Sequence, residues 1–565
     1  MTTAPPPDGP PAAAPASASG PSPAAISAPV PGPLRYVIGV DLGTGGPKVA
    51  VADTTGVLLG HEAERVPIRF LPDGGAEQDP DDWWRAITAA TTRLLDRLAL
   101  PADRIAALCF SSQWGGTVAV DAVGVPTHPA VIWMDSRGAA HSRRVAGGGL
   151  TVPTTGYNAR KLRRWLVRTG GAPTLTGKDP VGQSHFLRTE RPEAYASARY
   201  LLDVPEYLTM RATGRAVAAY DTAVLRWCTD NRDAANVRWD QALIKQCGLD
   251  PKKLPDLVAP GTIVGSLTAK AAVDLGLHTG VKVVAGTGDT TAAAIGAGAV
   301  REYDAHLYVG TSAWLSCHVP YKKTDITRNI ASMPSVVPGL YWIATIQDVA
   351  GKAVDWLLDN VLHEVGPGRP RPEDALDKLG ALAATAPPGC NGVLFLPWLN
   401  GERTPVDDRT VRGGWLNVSL TTDRADLARS VFEGVALNAK WMLEAVDRFA
   451  AKGHRGGHPD RLGALRFIGG GANSALWCQA MADILDREVR QVADPVLANV
   501  HGAALLAAVA LGELDWERIP GTVAVAAVYR PDPATRAVYD ETYRAYREAY
   551  RRLRPFYARL RGPGR

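Results

Sequence analysis

The 565-residue chain has only six cysteines, Cys109, Cys228, Cys247, Cys317, Cys390 and Cys478, with no CxxC pair among them. Such spacing supports neither a disulfide framework nor a zinc site, and reduced thiols in a cytoplasmic protein are the expectation. Long apolar runs are missing too. The longest near the C-terminus, residues 503–511, falls far short of the roughly 20 that cross a bilayer, so no membrane partner is expected. Residues 1–33 show no basic segment followed by an apolar one, so no signal peptide is expected. Their Pro/Ala/Ser composition predicts a disordered tail outside the fold. An excess of one charge is slight: 62 basic against 57 acidic residues leave +5, scattered along the chain. With no basic helix-turn-helix, nucleic acid is not an expected partner. Also absent are the Walker A segment GxxxxGK[ST], the protein-kinase HRD and DFG signatures, HExxH and GxSxG.

What remains is an ordinary globular composition, 46% hydrophobic and 21% charged, in a chain too long for one hydrophobic core. Order is expected from Arg35. Residues 36–41 are an apolar run ending in Asp41, Leu42-Gly43-Thr44-Gly45-Gly46 is a turn, and residues 48–53 form a second apolar run. Two such runs around a glycine-rich turn predict a β-hairpin. Short β-like segments alternate with helical stretches such as 81–98, started by Pro80 and Asp81, so the fold class is α/β.

The first pattern then returns. Residues 281–285 run into Gly286-Thr287-Gly288-Asp289, and 305–309 run into Gly310-Thr311-Ser312 before another apolar segment. The recurrence predicts two similar lobes facing a cleft: an N-terminal lobe at 34–278 and a C-terminal lobe at 279–560. Near the end, Tyr539, Tyr543, Tyr546 and Tyr550 share one helical face, which predicts a core stripe.

Phosphoryl transfer needs backbone amides and a metal to hold phosphates, and a base to orient the attacking hydroxyl. Thr44-Gly45-Gly46 and Gly310-Thr311-Ser312 fit the first need, because glycine lets main-chain N–H groups approach phosphate oxygens. Asp41 and Asp289 both end apolar runs at such turns. Each either serves the chemistry or hydrogen-bonds its own turn. Gly469-Gly470-Gly471-Ala472-Asn473-Ser474 lies between a strand-like and a helical segment, but it is not GxGxxG. Spacing alone therefore gives a two-lobed α/β protein with candidate phosphate-binding turns.

Ten segments in order carry a resemblance: VDLGTGGPK at 40–48, GAEQDPDDWW at 75–84, HPAVIWMDSR at 128–137, AGTGDTTAAAIGAG at 285–298, YVGTSA at 308–313, GKAVDWL at 351–357, LPWLNGERTP at 396–405, EGVALN at 433–438, FIGGGANSALWCQAMADIL at 467–485 and HGAALLAAVALG at 501–512. Together they resemble the FGGY family of carbohydrate kinases, from about Tyr36 to the last helix. The resemblance implies two actin/hexokinase-like (ribonuclease H-like) lobes around a central cleft. It also implies ATP and Mg²⁺ as cofactors, a sugar and ATP as partners, and a homodimer as the assembly to test. By the same resemblance Asp289 is the catalytic base, and Asp41 lies near Mg²⁺ and the phosphates. Thr44, Gly45, Gly46 and Lys48 join Gly310, Thr311 and Ser312 around the phosphate chain. Gly470, Gly471 and Asn473 fall on the adenosine side, while Gln113, Trp114, Trp133 and Asp135 fall at the sugar end beside Asp289.

Within that family the IWMDSR segment and the length are most similar to xylulokinases, which makes D-xylulose the first expected substrate. That subfamily has Gln-Met-His-Gly where this chain has Gln113-Trp114-Gly115-Gly116, and Thr290 stands where the family often has an amide. Losing an imidazole and an amide changes discrimination among sugars, so another pentulose, a polyol or a modified sugar is the alternative. An actin- or chaperone-like ATPase and a non-catalytic sugar sensor are the readings from other classes. Retention of both Asp41 and Asp289 argues against a dead sensor.

Overall fold

The computed structural model describes residues 35–153, 155–362, 370–451 and 461–561; the tail expected at 1–33 lies outside them. The first sheet holds β1 (Tyr36–Gly43), β2 (Gly46–Asp53), β3 (Leu58–Ala63), β4 (Ile105–Ser112), β5 (Ile263–Ser266) and β6 (Lys282–Gly288), in the order β5-β6-β4-β1-β2-β3. β1 is central and carries Val37, Ile38, Val40 and Leu42, all fully buried, as a strand covered on both faces requires. β1 pairs antiparallel with β2 and parallel with β4, and β4 pairs parallel with β6.

The second sheet contains β7 (Ala305–Val309), β8 (Ala313–Val319), β9 (Thr324–Asp325), β10 (Ile330–Pro334), β11 (Tyr341–Gln347), β12 (Leu465–Ile468), β13 (Val489–Val492) and β14 (Val525–Tyr529). Its order is β9-β10-β11-β8-β7-β12-β13-β14. The stretch β11-β8-β7-β12-β13 repeats β3-β2-β1-β4-β6 position for position. The same antiparallel pairs stand on one side of the central strand and the same parallel pairs on the other. The lobe repeat expected from two hairpins thus extends to whole sheets, and the fold is the expected two-lobed α/β architecture.

Helices cover both sheets. α1 (Pro80–Leu98) starts where the Asp79 side chain accepts from the Asp81 amide (2.9 Å) and Pro80 fills the first turn. Its Trp83, Ile87, Ala90 and Leu94 pack on the first sheet. α2 (Val204–Thr213) opens with a capping box from Asp203 and Glu206. α3 (Asp289–Gly296) follows β6 directly. In the second lobe α4 (Arg424–Ala451), α5 (Ala475–Leu485) and α6 (Ala498–Ala510) take the corresponding places after β11, β12 and β13. α3 and α6 pack against each other, and their alanines and Ile295, Leu505 and Leu506 form a third core cluster between the sheets.

One boundary differs from expectation. The sequence division at 279 places β6 and Asp289 in the C-terminal lobe, yet β6 pairs with β4 in the first sheet, and the second sheet begins at Ala305. A run of β-residues does not name its partner strand. The closing helix α7 (Arg536–Arg561) carries the tyrosine stripe as predicted. Tyr539, Tyr543, Tyr546 and Tyr550 are buried; Tyr539, Tyr546 and Tyr550 donate to Glu433 (2.7 Å), Asn438 (2.6 Å) and Asp408 (3.2 Å), and the Tyr543 hydroxyl accepts from Arg547 (3.1 Å). All six cysteines are free and buried. Among the described residues no helix is long and apolar enough to cross a membrane.

Candidate active site

Gly43 pairs with Gly46, so Thr44 and Gly45 alone close the β1–β2 hairpin. Gly46 sits at φ +137°, and a Cβ there would lie 2.1 Å from the Glu64 carbonyl oxygen. Only glycine fits that corner. Val66 donates to the Gly45 carbonyl (3.1 Å) and Gln78 Nε2 to the Thr44 carbonyl (2.9 Å), fixing the turn from behind.

Asp41 lies at the buried end of β1. Its cross-strand neighbours are Ser111 on β4, whose Oγ donates to Oδ1 (3.0 Å), and Lys48 on β2. Asn499, in the first turn of α6, reaches the same carboxylate from the second lobe. Burial raises the proton affinity of Asp41, while the Lys48 charge and the two hydrogen bonds hold it down.

Asp289 is the first residue of α3, partly exposed, with its Oδ1 accepting from the Thr290 amide (2.8 Å). Burial and, next, the charge of Asp41 lift its pKa to about 7, against the pull of that amide. A carboxyl raised by burial and by a neighbouring carboxylate marks a site where that group holds a proton near neutrality. Tyr308, on β7 of the other lobe, feels both: burial and then Asp289 and Asp41 push its hydroxyl up to about 12. Residues of both lobes therefore face one another across Asp41 and Asp289.

The second turn is built like the first. The carbonyls of Gly310 and Thr311 accept from Gly351 (2.8 Å), Ala350 (3.0 Å) and Lys352 (3.2 Å), which ties the turn to the helix Gly351–Leu357. Ser312 Oγ accepts from Trp314 Nε1 (3.0 Å), and Thr311 is exposed. Behind the turn, the buried Glu402 accepts from the amides of Asp348 (3.1 Å) and Arg403 (2.9 Å), and burial raises its pKa to about 8. Gly470–Asn473 is a single 3₁₀ turn before α5, with Gly470 and Asn473 exposed and Gly471 buried.

The residues expected at the sugar end divide. Trp133 is open to solvent at 39%, and its Nε1 donates to Thr44 Oγ1 (3.0 Å), so it stands beside the first turn. Trp114 is partly exposed, lies against Gly288, and meets Trp342 of the second sheet with ring centroids 5.8 Å apart. Gln113 is buried. Its Nε2 donates to Gln78 Oε1 (2.7 Å), leaving Oε1 as its remaining acceptor.

Asp135 corrects the expectation of a sugar contact. It is fully buried, and its oxygens accept from the Ala76 amide (2.9 Å), the Arg137 amide (2.9 Å) and Arg137 Nε and Nη2 (2.9 and 2.6 Å). Oδ2 takes three of these bonds and Oδ1 the fourth, all from the scaffold. Asp135→Ala is expected to lower stability by about 3 kcal/mol, because the buried Arg137 keeps only Glu77 as a carboxylate partner and the Ala76 amide loses its acceptor. The sugar KM should stay near that of the parent in a steady-state assay at a temperature where both are folded.

Four contributing residues escape a reading of the sequence. Asn499 and Tyr308 come from the second lobe. Asp203 accepts from the Gly115 and Gly116 amides (3.1 Å each) and so sets the loop that follows Trp114. Burial and then the Glu206 charge raise its pKa to about 7. Asp221 lies under the Asp289 turn. Only Asp203 left a signal, the Asp203-Val204-Pro205-Glu206 helix start.

Comparison with known proteins decides what this arrangement belongs to. Residues 36–296 match the N-terminal domain of the FGGY family of carbohydrate kinases, and residues 305–511 match its C-terminal domain. The chain belongs to the FGGY family of carbohydrate kinases. The two matched domains meet where the two sheets divide. Xylulose kinase of Staphylococcus epidermidis is 26% identical over 524 residues, covering 90% of this chain and 95% of that protein. Gluconokinase of Bacillus subtilis is 25% identical over 483 residues, 85% of this chain and 88% of that one. In fold, the FGGY chain superposes on a gluconate kinase from Lactobacillus acidophilus with a TM-score of 0.79 at 22% identity, over 94% of this chain and all of the other.

Proposed function

We propose that this FGGY kinase transfers the γ-phosphoryl group of ATP to a hydroxyl of a sugar, with D-xylulose, giving D-xylulose 5-phosphate, as the first substrate. One observation carries the reading: Asp289 opens a helix beside Asp41 with its pKa lifted to about 7. An alcohol is a far weaker acid than this carboxyl. Asp289 therefore orients the hydroxyl and takes its proton late, as the bond to phosphorus forms. Thr44, Gly45, Gly46 and Lys48 from the first lobe and Gly310, Thr311 and Ser312 from the second hold the phosphate chain, and Gly470, Gly471 and Asn473 flank the adenosine. Asp41 fits Mg²⁺, which takes one or two carboxylates and completes its shell with water and phosphate. When bound, Mg²⁺ neutralises charge on the phosphates.

A second reading has its own observation. Gly115 offers no side chain where xylulokinases carry an imidazole, and a Cβ there would lie 3.2 Å from Leu225 Cδ1. With Trp114 and Trp342 beside it, this wall is apolar and favours a sugar lacking a hydroxyl on that side. ADP release measured over a panel of ketoses, their deoxy analogues, aldonates and polyols tests both. Sugar-dependent release is expected, and release indifferent to every sugar would overturn the kinase reading in favour of an ATPase. A deoxyketose exceeding D-xylulose in kcat/KM by about tenfold or more would establish the second reading. The reverse order would remove it.

A further inference from the structure

The fully buried carboxylate of Asp221 has no part in the chemistry above, yet it is bonded almost entirely to the segment that carries Asp289. Its Oδ2 accepts from Thr287 Oγ1 (2.5 Å), Thr291 Oγ1 (2.9 Å) and the Gly288 amide (3.4 Å). The two hydroxyls are themselves 2.7 Å apart. One carboxylate oxygen thus gathers donors from both sides of Asp289 at the junction of β6 and α3, where the chain changes direction. On the short helix Tyr220–Ala223, the next residue faces the sugar end. The Thr222 carbonyl accepts from Trp114 Nε1 (3.3 Å), and Thr222 Oγ1 donates to Glu206 Oε1 (3.0 Å). Glu206 pairs with Arg226 (2.5 Å) and accepts from the Asp203 amide (2.8 Å), and Asp203 in turn holds Gly115 and Gly116.

We propose that Asp221 is a positioning residue for Asp289, and that the helix Tyr220–Ala223 couples the base turn to the sugar-side loop. The proposal rests on Asp289 being the proton acceptor. Burial raises the proton affinity of Asp221 against the pull of its three donors, and what those donors require is an acceptor oxygen. A base displaced by even a fraction of an ångström loses its alignment with the hydroxyl, so the coupling acts on turnover more than on binding.

The prediction follows from that distinction. Asp221→Ala is expected to lower kcat on the order of 10²-fold while KM for ATP changes little. Asp221→Asn keeps an acceptor oxygen and should retain most of the parent kcat. Thr287→Val should reproduce much of the loss and Thr287→Ser should not. Combining Asp221→Ala with Thr287→Val should add little, because both remove one contact. Thermal melts of each variant fix an assay temperature at which all are folded. Parent-like kcat in folded Asp221→Ala, or equal losses in Asp221→Asn and Asp221→Ala, would overturn the positioning role. If Asp289→Asn is itself near-normal, the reading beneath the proposal fails instead. A dead Asp289→Asn with an active Asp221→Ala sinks this proposal alone.

Discussion

Asp289→Asn is expected to lower kcat by about 10³-fold while leaving ATP binding measurable by equilibrium titration. The amide is nearly the shape of the carboxylate and still accepts the Thr290 amide, but it takes no proton. The loss therefore falls on the transition state and not on the ground-state complex. The same substitution should not harm the fold. Asp289 has a folded pKa of about 7, raised above its ordinary value by burial and by Asp41. Its contribution to stability is therefore present at low pH and lost as pH rises through about 7. Asn carries no such loss, so the variant should melt at or above the parent temperature at pH 8. An inactive variant that is also unstable would point to misfolding. One that turns over near-normally would remove Asp289 from the chemistry.

Activity should follow the same group. With Asp289 as acceptor, kcat/KM of the parent rises with pH through about 7, where the carboxylate becomes ionised. Asp41→Asn removes the second-largest cause of the raised pKa. Whatever activity it retains should rise at a lower pH than in the parent. An unmoved limb would assign it to another group, such as Asp203, whose pKa is also about 7.

Local chemistry was legible in the sequence and long-range partnership was not. The hairpin around Thr44 and Gly45, the helix begun at Pro80 and the tyrosine face of the last helix each follow from spacing within a short window. Each of them is where it should be. The lobe boundary failed because β6 looks like any buried strand, and only its register with β4 assigns it to the first sheet. Asp135 failed for a related reason. A carboxylate two residues from Trp133 is as compatible with a sugar contact as with a strut, and the choice is made by Arg137 folding back on it. Asp221 was invisible because its partners lie 66 to 70 residues away. Resemblance supplied the roles of Asp41 and Asp289, and geometry added what surrounds them: Ser111, Asn499 and Tyr308.

The second large effect is expected where the lobes touch. A Cβ added to Gly296 on α3 would stand 1.7 Å from the Ala498 carbonyl oxygen, and one on Gly502 of α6 1.9 Å from the Ala292 carbonyl oxygen. Gly39 on β1 approaches α6 equally, 2.2 Å from the Val500 carbonyl oxygen. None of the three has a positive φ, so the need for glycine here is space and not conformation. Backbone meets backbone, and neither side has a rotamer to yield. The contact joins the helix that opens with Asp289 to the one whose first turn brings Asn499 to Asp41. Gly502→Val must force α3 and α6 apart, at a cost of about 3 kcal/mol, the upper end for overpacking. Because the displaced helices carry Asp289 and the Asp41 partner, activity should fall with stability, on the order of 10²-fold. Gly380→Ala is the matched control: a Cβ there meets nothing within 4 Å, in the helix Ala375–Ala384. It should melt at the parent temperature or slightly above it. A Gly502→Val protein that unfolds in the same denaturant as the parent and keeps its turnover would mean that the two helices separate freely, and that the lobes do not depend on this contact for their alignment.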